Sequence, residues 1–272
     1  MADMSEANSA AELAPGVGRP PAEIARWSPA ALSVVIPVRN EALNVGPLFD
    51  EIRAALDGKI DYEVIYVDDD SDDDTVSRLS SMAASFPQLR IVRHFLTCGQ
   101  STAVRSGVKA AHHDWIATLD GDGQNDPMDI PLLLKALSDS PHSVRLIGGH
   151  RKNRRDTPLK RLSSRVANRV RSTLLHDNTP DTGCGLKVFQ KEAFLELPYF
   201  DHMHRFLPAL MHRAGWETRS VEVNHRPRLR GRSNYGLHNR LWVGIVDLFG
   251  VMWLMRRARI PQLLDTNDRI EL

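Results

Sequence analysis

Residues 116–127 read Ile-Ala-Thr-Leu-Asp-Gly-Asp-Gly-Gln-Asn-Asp-Pro. An apolar run leads straight into Asp120-Gly121-Asp122. Two carboxylates, two positions apart, stand where a buried strand gives way to a turn. The glycines at 121 and 123 let the chain turn sharply and leave room for a close approach. Neighbouring carboxylates repel each other unless a cation lies between them. Hard divalent ions take oxygen ligands and are held by one or two carboxylates together with substrate phosphates. Asp120 and Asp122 are therefore candidate ligands for Mg²⁺ or Mn²⁺, with Gln124 as a third. A polar turn that merely caps a strand is the plainer reading of an Asp-x-Asp on its own.

A second acidic cluster follows another apolar segment. Tyr62-Glu63-Val64-Ile65-Tyr66-Val67 runs into Asp68-Asp69-Asp70-Ser71-Asp72-Asp73-Asp74-Thr75, with six carboxylates in the seven positions 68–74. Such a loop cannot pack in a core. Neither cluster is an EF-hand, which needs Gly at the sixth loop position and Glu at the twelfth. Counting from Asp68 these are Asp73 and Leu79, and from Asp120 they are Asn125 and Pro131. A third apolar segment, Leu32 to Val38, runs into Arg39-Asn40-Glu41.

The elements that must carry these loops follow from periodicity. Strands are predicted over 32–38, 62–67, 89–93, 115–119 and 145–149, with further strands over 184–189 and 218–224. Between the early strands Leu48, Ile52 and Leu56 share one helical face, as do Val76, Leu79 and Met82. Residues 100–112 and 128–138 are spaced similarly. Strands alternating with helices predict a mostly parallel, doubly wound α/β sheet. In such sheets ligands bind beyond the carboxyl ends of the strands, where all three polar loops would meet.

With these motifs in hand, the chain resembles the family 2 glycosyltransferases, whose fold is GT-A, a Rossmann-like sheet flanked by helices. The resemblance rests on Ser33–Glu41, Val67–Thr75 and Asp120–Pro127. Asp181-Thr-Gly-Cys-Gly-Leu-Lys-Val-Phe, His204–Leu210 and Arg228–Ser233 are similar to the polyprenyl-phosphate branch, typified by dolichol-phosphate mannosyltransferase. It covers residues 32–236. The chain departs from the family's usual pattern with Asp70 and Asp74 where Gly is common, and with Asn234 where Lys is. Asp at a position that often needs positive φ is tolerated at a cost.

The resemblance implies an inverting, metal-dependent transfer of a sugar from a nucleotide diphosphate to a polyprenyl phosphate. It implies that Pro37, Asn40, Glu41 and Asp69 meet the nucleotide and that the metal sits at Asp120 and Asp122. An acceptor phosphate is already ionised, so positioning and charge neutralisation would carry the catalysis. Guanidinium forks suit that task. Arg205, Arg228 and one or more of Arg151, Arg154 and Arg155 are the candidates, with Ser233 as a hydroxyl donor. Asp181 would orient either the sugar or a phosphate-binding arginine.

Charge is nearly balanced, with 35 Lys+Arg against 34 Asp+Glu, which argues against a nucleic-acid partner. The balance is local: acidic clusters lie at 68–74 and 120–129, basic ones at 151–171 and 226–240. His202, His204, His212 and His225 match no zinc spacing. The 2 cysteines, Cys98 and Cys184, give no disulfide framework and suit a reducing, cytoplasmic setting. Residues 1–31 lack the apolar core of a signal peptide and read as a disordered tail. Leu159, Leu162, Val166, Val170 and Leu174 predict an amphipathic helix whose other face is basic.

The expected organisation is thus a tail (1–31), a catalytic domain (32–236) and a C-terminal amphipathic segment (237–272). Residues 241–255 are the most apolar run. With Asp247 inside and 15 residues in all, the run is shorter than the ~20 needed to span a bilayer. Trp242 and Trp253 near its ends and the flanking Arg240, Arg256, Arg257 and Arg259 suit a membrane interface. The expectation is a peripheral enzyme on the inner face of the cytoplasmic membrane. Packing on the domain, or a homo-oligomer interface, is the alternative use of this run. Two other functions keep the fold: transfer to a soluble saccharide or small metabolite, and nucleotide-sugar binding without catalysis.

Overall fold

The structure, a computed structural model, describes residues 29–151, 171–175, 177, 179–228 and 237–259, without the side chains of 237–243. Ser233, Arg154, Arg155, Asn234, the tail, most of the basic helix and the side chains of Arg240 and Trp242 lie outside the described residues.

Seven strands form one sheet: β1 (Ala31–Val38), β2 (Asp61–Asp68), β3 (Leu89–Arg93), β4 (Trp115–Thr118), β5 (Val144–Arg151), β6 (Lys187–Gln190) and β7 (Glu217–Val223). Their spatial order is β3-β2-β1-β4-β6-β5-β7. The first four neighbours pair in parallel, as do β5 and β7, while β6 runs antiparallel to both β4 and β5. The predicted mostly parallel α/β sheet is thus observed, with one reversed strand.

β1 is central, and that explains its near-continuous apolar sequence. Val34 and Ile36 pack on one face with α1 (Val45–Leu56), α2 (Thr75–Ser85) and α4 (Ile130–Ser138). Val35 packs on the other with α3 (Gln100–Ala110), α5 (Lys191–Leu195), α6 (Leu207–Arg213) and α7 (Leu237–Arg256). The helices therefore cover both faces of the sheet. Leu48, Ile52, Leu56 and Leu79 are all buried on the predicted faces.

One expectation changes. Arg171 does not lie on a solvated basic face: it is buried, bonded to the Asp177 carboxylate and to the Thr179 carbonyl (2.7 Å). In the same turn Leu175, not Leu174, is the buried leucine. A buried guanidinium persists only when paired, so this turn is fixed by its ion pair. The C-terminal helix is present, as expected. Leu248, Val251, Met252, Leu254 and Met255 pack on the α6 side, while Val246, Phe249 and Trp253 face out at 68%, 65% and 59% exposure. Among the described residues no helix is long and apolar enough to cross a membrane.

Candidate active site

The parallel strands β2, β1 and β4 end side by side, so their three polar loops share one edge of the sheet. The loops interlock. The Asn40 amide donates to Ser71 Oγ (2.9 Å), and the Asp72 amide donates to Asn40 Oδ1 (3.0 Å). The Glu41 amide donates to Thr75 Oγ1 (2.9 Å). Asn40 and Asp70 both adopt left-handed backbone, with φ of 57° and 64°. The Asp at position 70 thus accepts the conformation where the family often places Gly, while Asp74 keeps φ at −71°.

Asp69 points into the protein. Its carboxylate accepts the amides of Cys98 and Gly99 (each 2.8 Å) and touches His94 Nδ1 at 2.7 Å. This anchors the start of α3. The next residue, Gln100, donates from its side chain to Asp120 Oδ1 (2.8 Å). Asp69 therefore positions Asp120 through one loop.

Asp120 is held from every side. Its amide donates to Asn125 Oδ1 (3.0 Å). Gly121 lies against β1, where an added Cβ would sit 2.6 Å from Val38 Cγ1. Burial, and then the negative charge of Asp122, push the Asp120 carboxyl above its ordinary pKa. Lys187, Arg151 and the Gln100 bond offset this only in part. Asp120 and Asp122 are thus two close carboxylates that could hold a cation.

The segment after β7 closes the opposite wall. Asp129 accepts both the amide and the side chain of Asn224 (2.6 and 3.1 Å), and the Arg226 amide donates to the Gln124 carbonyl (3.0 Å). Gln124 donates its own side-chain nitrogen to the Arg226 carbonyl (3.4 Å). This zipper delivers Arg228, whose Nη2 donates to Glu41 Oε1 and lies 3.9 Å from Asp122 Oδ2. The Glu41 carboxyl is raised by burial, against the Asn44 bond and the Arg228 charge.

On the α3 side a pocket is lined by Pro37, Gln100, Asp120, Lys187, His204 and Arg205, among others. Lys187 is buried, and its Nζ donates to the Cys184 carbonyl. Burial lowers the pKa of Lys187. The His204 imidazole bonds Ser101 Oγ (2.7 Å), and burial, with Lys187 and Arg205 nearby, holds its pKa well below the ordinary value. Asp181 grips Arg151 bidentately (2.7 and 2.8 Å). Of the two roles open to Asp181, the geometry displays the orientation of an arginine.

The residues picked from the sequence mostly converge here: Asp120, Asp122, Glu41 and Arg228 form one cluster, while Pro37 and Arg205 line the adjoining pocket. Asp69 and Asn40 hold loops. Sequence reasoning missed Lys187, Gln100, His204 and Gly185. The lysine inside the apolar run Gly-Leu-Lys-Val-Phe was a readable signal, because a cation there must be buried. Nothing in the sequence marked Gln100.

The glycosyl transferase family 2 model matches residues 33–197. The chain belongs to this family. Dodecaprenyl-phosphate galacturonate synthase from Rhizobium johnstonii is 36% identical over 238 residues, 85% of this chain and 69% of the relative. Undecaprenyl-phosphate 4-deoxy-4-formamido-L-arabinose transferase from Shewanella sediminis is 33% identical over 214 residues, 76% of this chain and 62% of the relative. The chain thus spans under two thirds of the second relative. Among solved structures, glucosyl-3-phosphoglycerate synthase from Mycobacterium tuberculosis has a TM-score of 0.63 at 20% identity, covering 86% of this chain and 81% of that one; it was solved with Mn²⁺, UDP and glucosyl-3-phosphoglycerate. A mannosyltransferase from Pyrobaculum calidifontis, solved with GDP-Man and Mn²⁺, has 0.64 at 18%, covering 86% and 66%. These structures share the fold. This family 2 glycosyltransferase therefore carries the GT-A architecture expected from its three strand-end motifs.

Proposed function

We propose that the enzyme transfers a sugar, with inversion, from a nucleotide diphosphate to a polyprenyl phosphate at the membrane surface. One observation carries the reading: the Asp120 carboxylate lines a pocket together with the cations Lys187 and Arg205 and also feels the charge of Asp122, which with Glu41 gathers round Arg228. That order of charges suits a cation-bound diphosphate on one side and a phosphate nucleophile on the other. The two polyprenyl-phosphate relatives support it.

The donor set fits a hard divalent ion. Asp120 and Asp122 supply carboxylates, the Asp120 carboxyl being raised by burial and then by the charge of Asp122, and Gln124 would add a carboxamide oxygen. Imidazole and thiolate, which favour zinc, are absent from this trio. A Mg²⁺ or Mn²⁺ bound there would neutralise charge on the leaving diphosphate. Arg228 adds a guanidinium beside the same carboxylates. Pro37, Asn40 and Glu41 border the nucleotide space. Lys187 and Arg205 receive the acceptor phosphate, and Arg151, fixed by Asp181, adds to the positive field. Ser233 remains a proposed hydroxyl donor. His204, held neutral, orients the turn that carries Arg205. No side chain needs to act as a strong base, because the nucleophile arrives ionised.

The exposed Val246, Phe249 and Trp253 lie on one face of α7, and an interfacial helix presents such a face to lipid. We place the enzyme on the inner leaflet, where the donor is supplied. The test is a screen of nucleotide sugars with Mn²⁺ and a short-chain polyprenyl phosphate, reading lipid-linked product. Product that forms only on a soluble phosphorylated acceptor would replace this reading.

A further inference from the structure

We propose that Asp247 and His202 are positioning residues: they form a strut through which the C-terminal helix α7 sets the turn that carries Arg205. The proposal rests on the function above for the role of Arg205 at the acceptor phosphate.

Asp247 is the one carboxylate in the apolar run 241–255. It does not point to solvent: its side chain is 17% exposed, and Oδ2 lies 3.2 Å from His202 Nδ1. The other ring nitrogen, Nε2, lies 3.5 Å from Asp201 Oδ2. The ring of His202 thus stands between two carboxylates, one on the turn and one on the helix. His202 holds left-handed backbone at φ 63°, an unfavourable state for a non-glycine residue unless its surroundings fix it. Its carbonyl then accepts the Arg205 amide (3.0 Å), which closes the turn 203–205.

The far side of that turn is fixed independently. Ser101 Oγ bonds His204 Nδ1 (2.7 Å) and accepts the His204 amide (3.3 Å). Ser101 adjoins Gln100, which bonds Asp120. The turn is therefore suspended between the start of α3, tied to the metal-site carboxylate, and α7. The helix is itself anchored by Val251 in the core and by Arg213 Nε on the Leu254 carbonyl (2.9 Å). Burial raises the pKa of Asp247, and His202 and Arg205 offset this. A largely buried carboxylate in an apolar run is costly unless it is paired. What Asp247 adds is a fixed direction for the His202 turn. The outward face of the same helix carries Val246, Phe249 and Trp253, so the element proposed to meet lipid also aims the acceptor arginine.

The experiment compares wild type, Asp247→Asn, Asp247→Glu and His202→Gln in detergent, where docking on a bilayer is not required. Three quantities are read: kcat/KM for short-chain polyprenyl phosphate, affinity for nucleotide diphosphate with Mn²⁺, and hydrogen exchange at residues 203–206. The expected result is a loss of acceptor kcat/KM, up to about 10²-fold for a misplaced group, in Asp247→Asn and His202→Gln. Nucleotide affinity should not change, Asp247→Glu should recover part of the loss, and exchange should quicken at 203–206 alone. A uniform loss that includes nucleotide affinity would mean simple misfolding and would overturn the strut. So would unchanged acceptor kinetics. If wild type glycosylates no polyprenyl phosphate, the proposed function fails, and exchange at 203–206 still decides the strut: unchanged rates in Asp247→Asn refute it.

Discussion

The Asp120 carboxylate rests on the bare Cα of Gly185: a Cβ built on Gly185 would lie 2.3 Å from Asp120 Oδ2 and 2.6 Å from Oδ1. The turn that supplies this floor is itself fixed, with the Gly185 carbonyl bonded by Thr118 Oγ1 (2.8 Å) and the Cys184 carbonyl by Lys187. Gly185→Ala should therefore displace Asp120 while leaving the sheet intact. The expected outcome is a loss of Mn²⁺ affinity, measured by electron paramagnetic resonance, with circular dichroism unchanged. Wild-type affinity in Gly185→Ala would show that the carboxylate can move without cost.

Asp120→Asn should separate stability from activity. Its folded-state pKa is raised above the unfolded value of 3.8. The protonated form is thus favoured by folding, and that contribution is lost as pH rises through the folded pKa. At neutral pH the ionised carboxylate costs stability, so metal-free Asp120→Asn should melt higher than wild type. The gap should close as pH falls towards 3.8. Transfer activity should be abolished. A lower melting temperature at pH 7 would mean that Asp120 chiefly serves as the partner of Lys187.

Arg228→Lys keeps a cation but removes the guanidinium whose Nη2 bonds Glu41 and lies near Asp122. Loss of one transition-state contact costs about 10²–10³-fold in kcat. We expect a fall of that order in Arg228→Ala and a smaller one in Arg228→Lys, measured as kcat/KM for the donor. Unchanged kinetics in Arg228→Ala would remove the residue from the chemistry.

Phe249→Glu and Trp253→Glu together should abolish binding to anionic vesicles, because both side chains face out and neither supports the core. Co-sedimentation at low salt reads this, and an unchanged melting temperature verifies the fold. Equal sedimentation of variant and wild type would assign the apolar face to a contact between protein copies.

The sheet was legible because its signals are local. Apolar runs such as 32–38 and 62–67 ended at turn residues, and helical spacing between them was clear. The polar loops were legible as a site because three of them followed strands. What escaped depended on contacts between distant segments. Gln100 reaches Asp120 only because Asp69 anchors the Cys98–Gly99 loop, and no spacing encodes that. The inward turn of Arg171 depends on Asp177, which pairs with it across a bend. The basic residues before it gave the opposite impression. The C-terminal helix was foreseen, but its sequence alone did not show that Asp247 turns towards His202 while Val246, Phe249 and Trp253 point out.

The central claim is that Asp120 and Asp122 hold a divalent ion for sugar transfer to a polyprenyl phosphate. The most direct measurement is lipid-linked product formed from a nucleotide sugar, Mn²⁺ and short-chain polyprenyl phosphate, by wild type and by Asp122→Ala. The account predicts product with wild type and none with Asp122→Ala or with excess chelator, although the variant folds. Full transfer in excess chelator, or by Asp122→Ala, would contradict it.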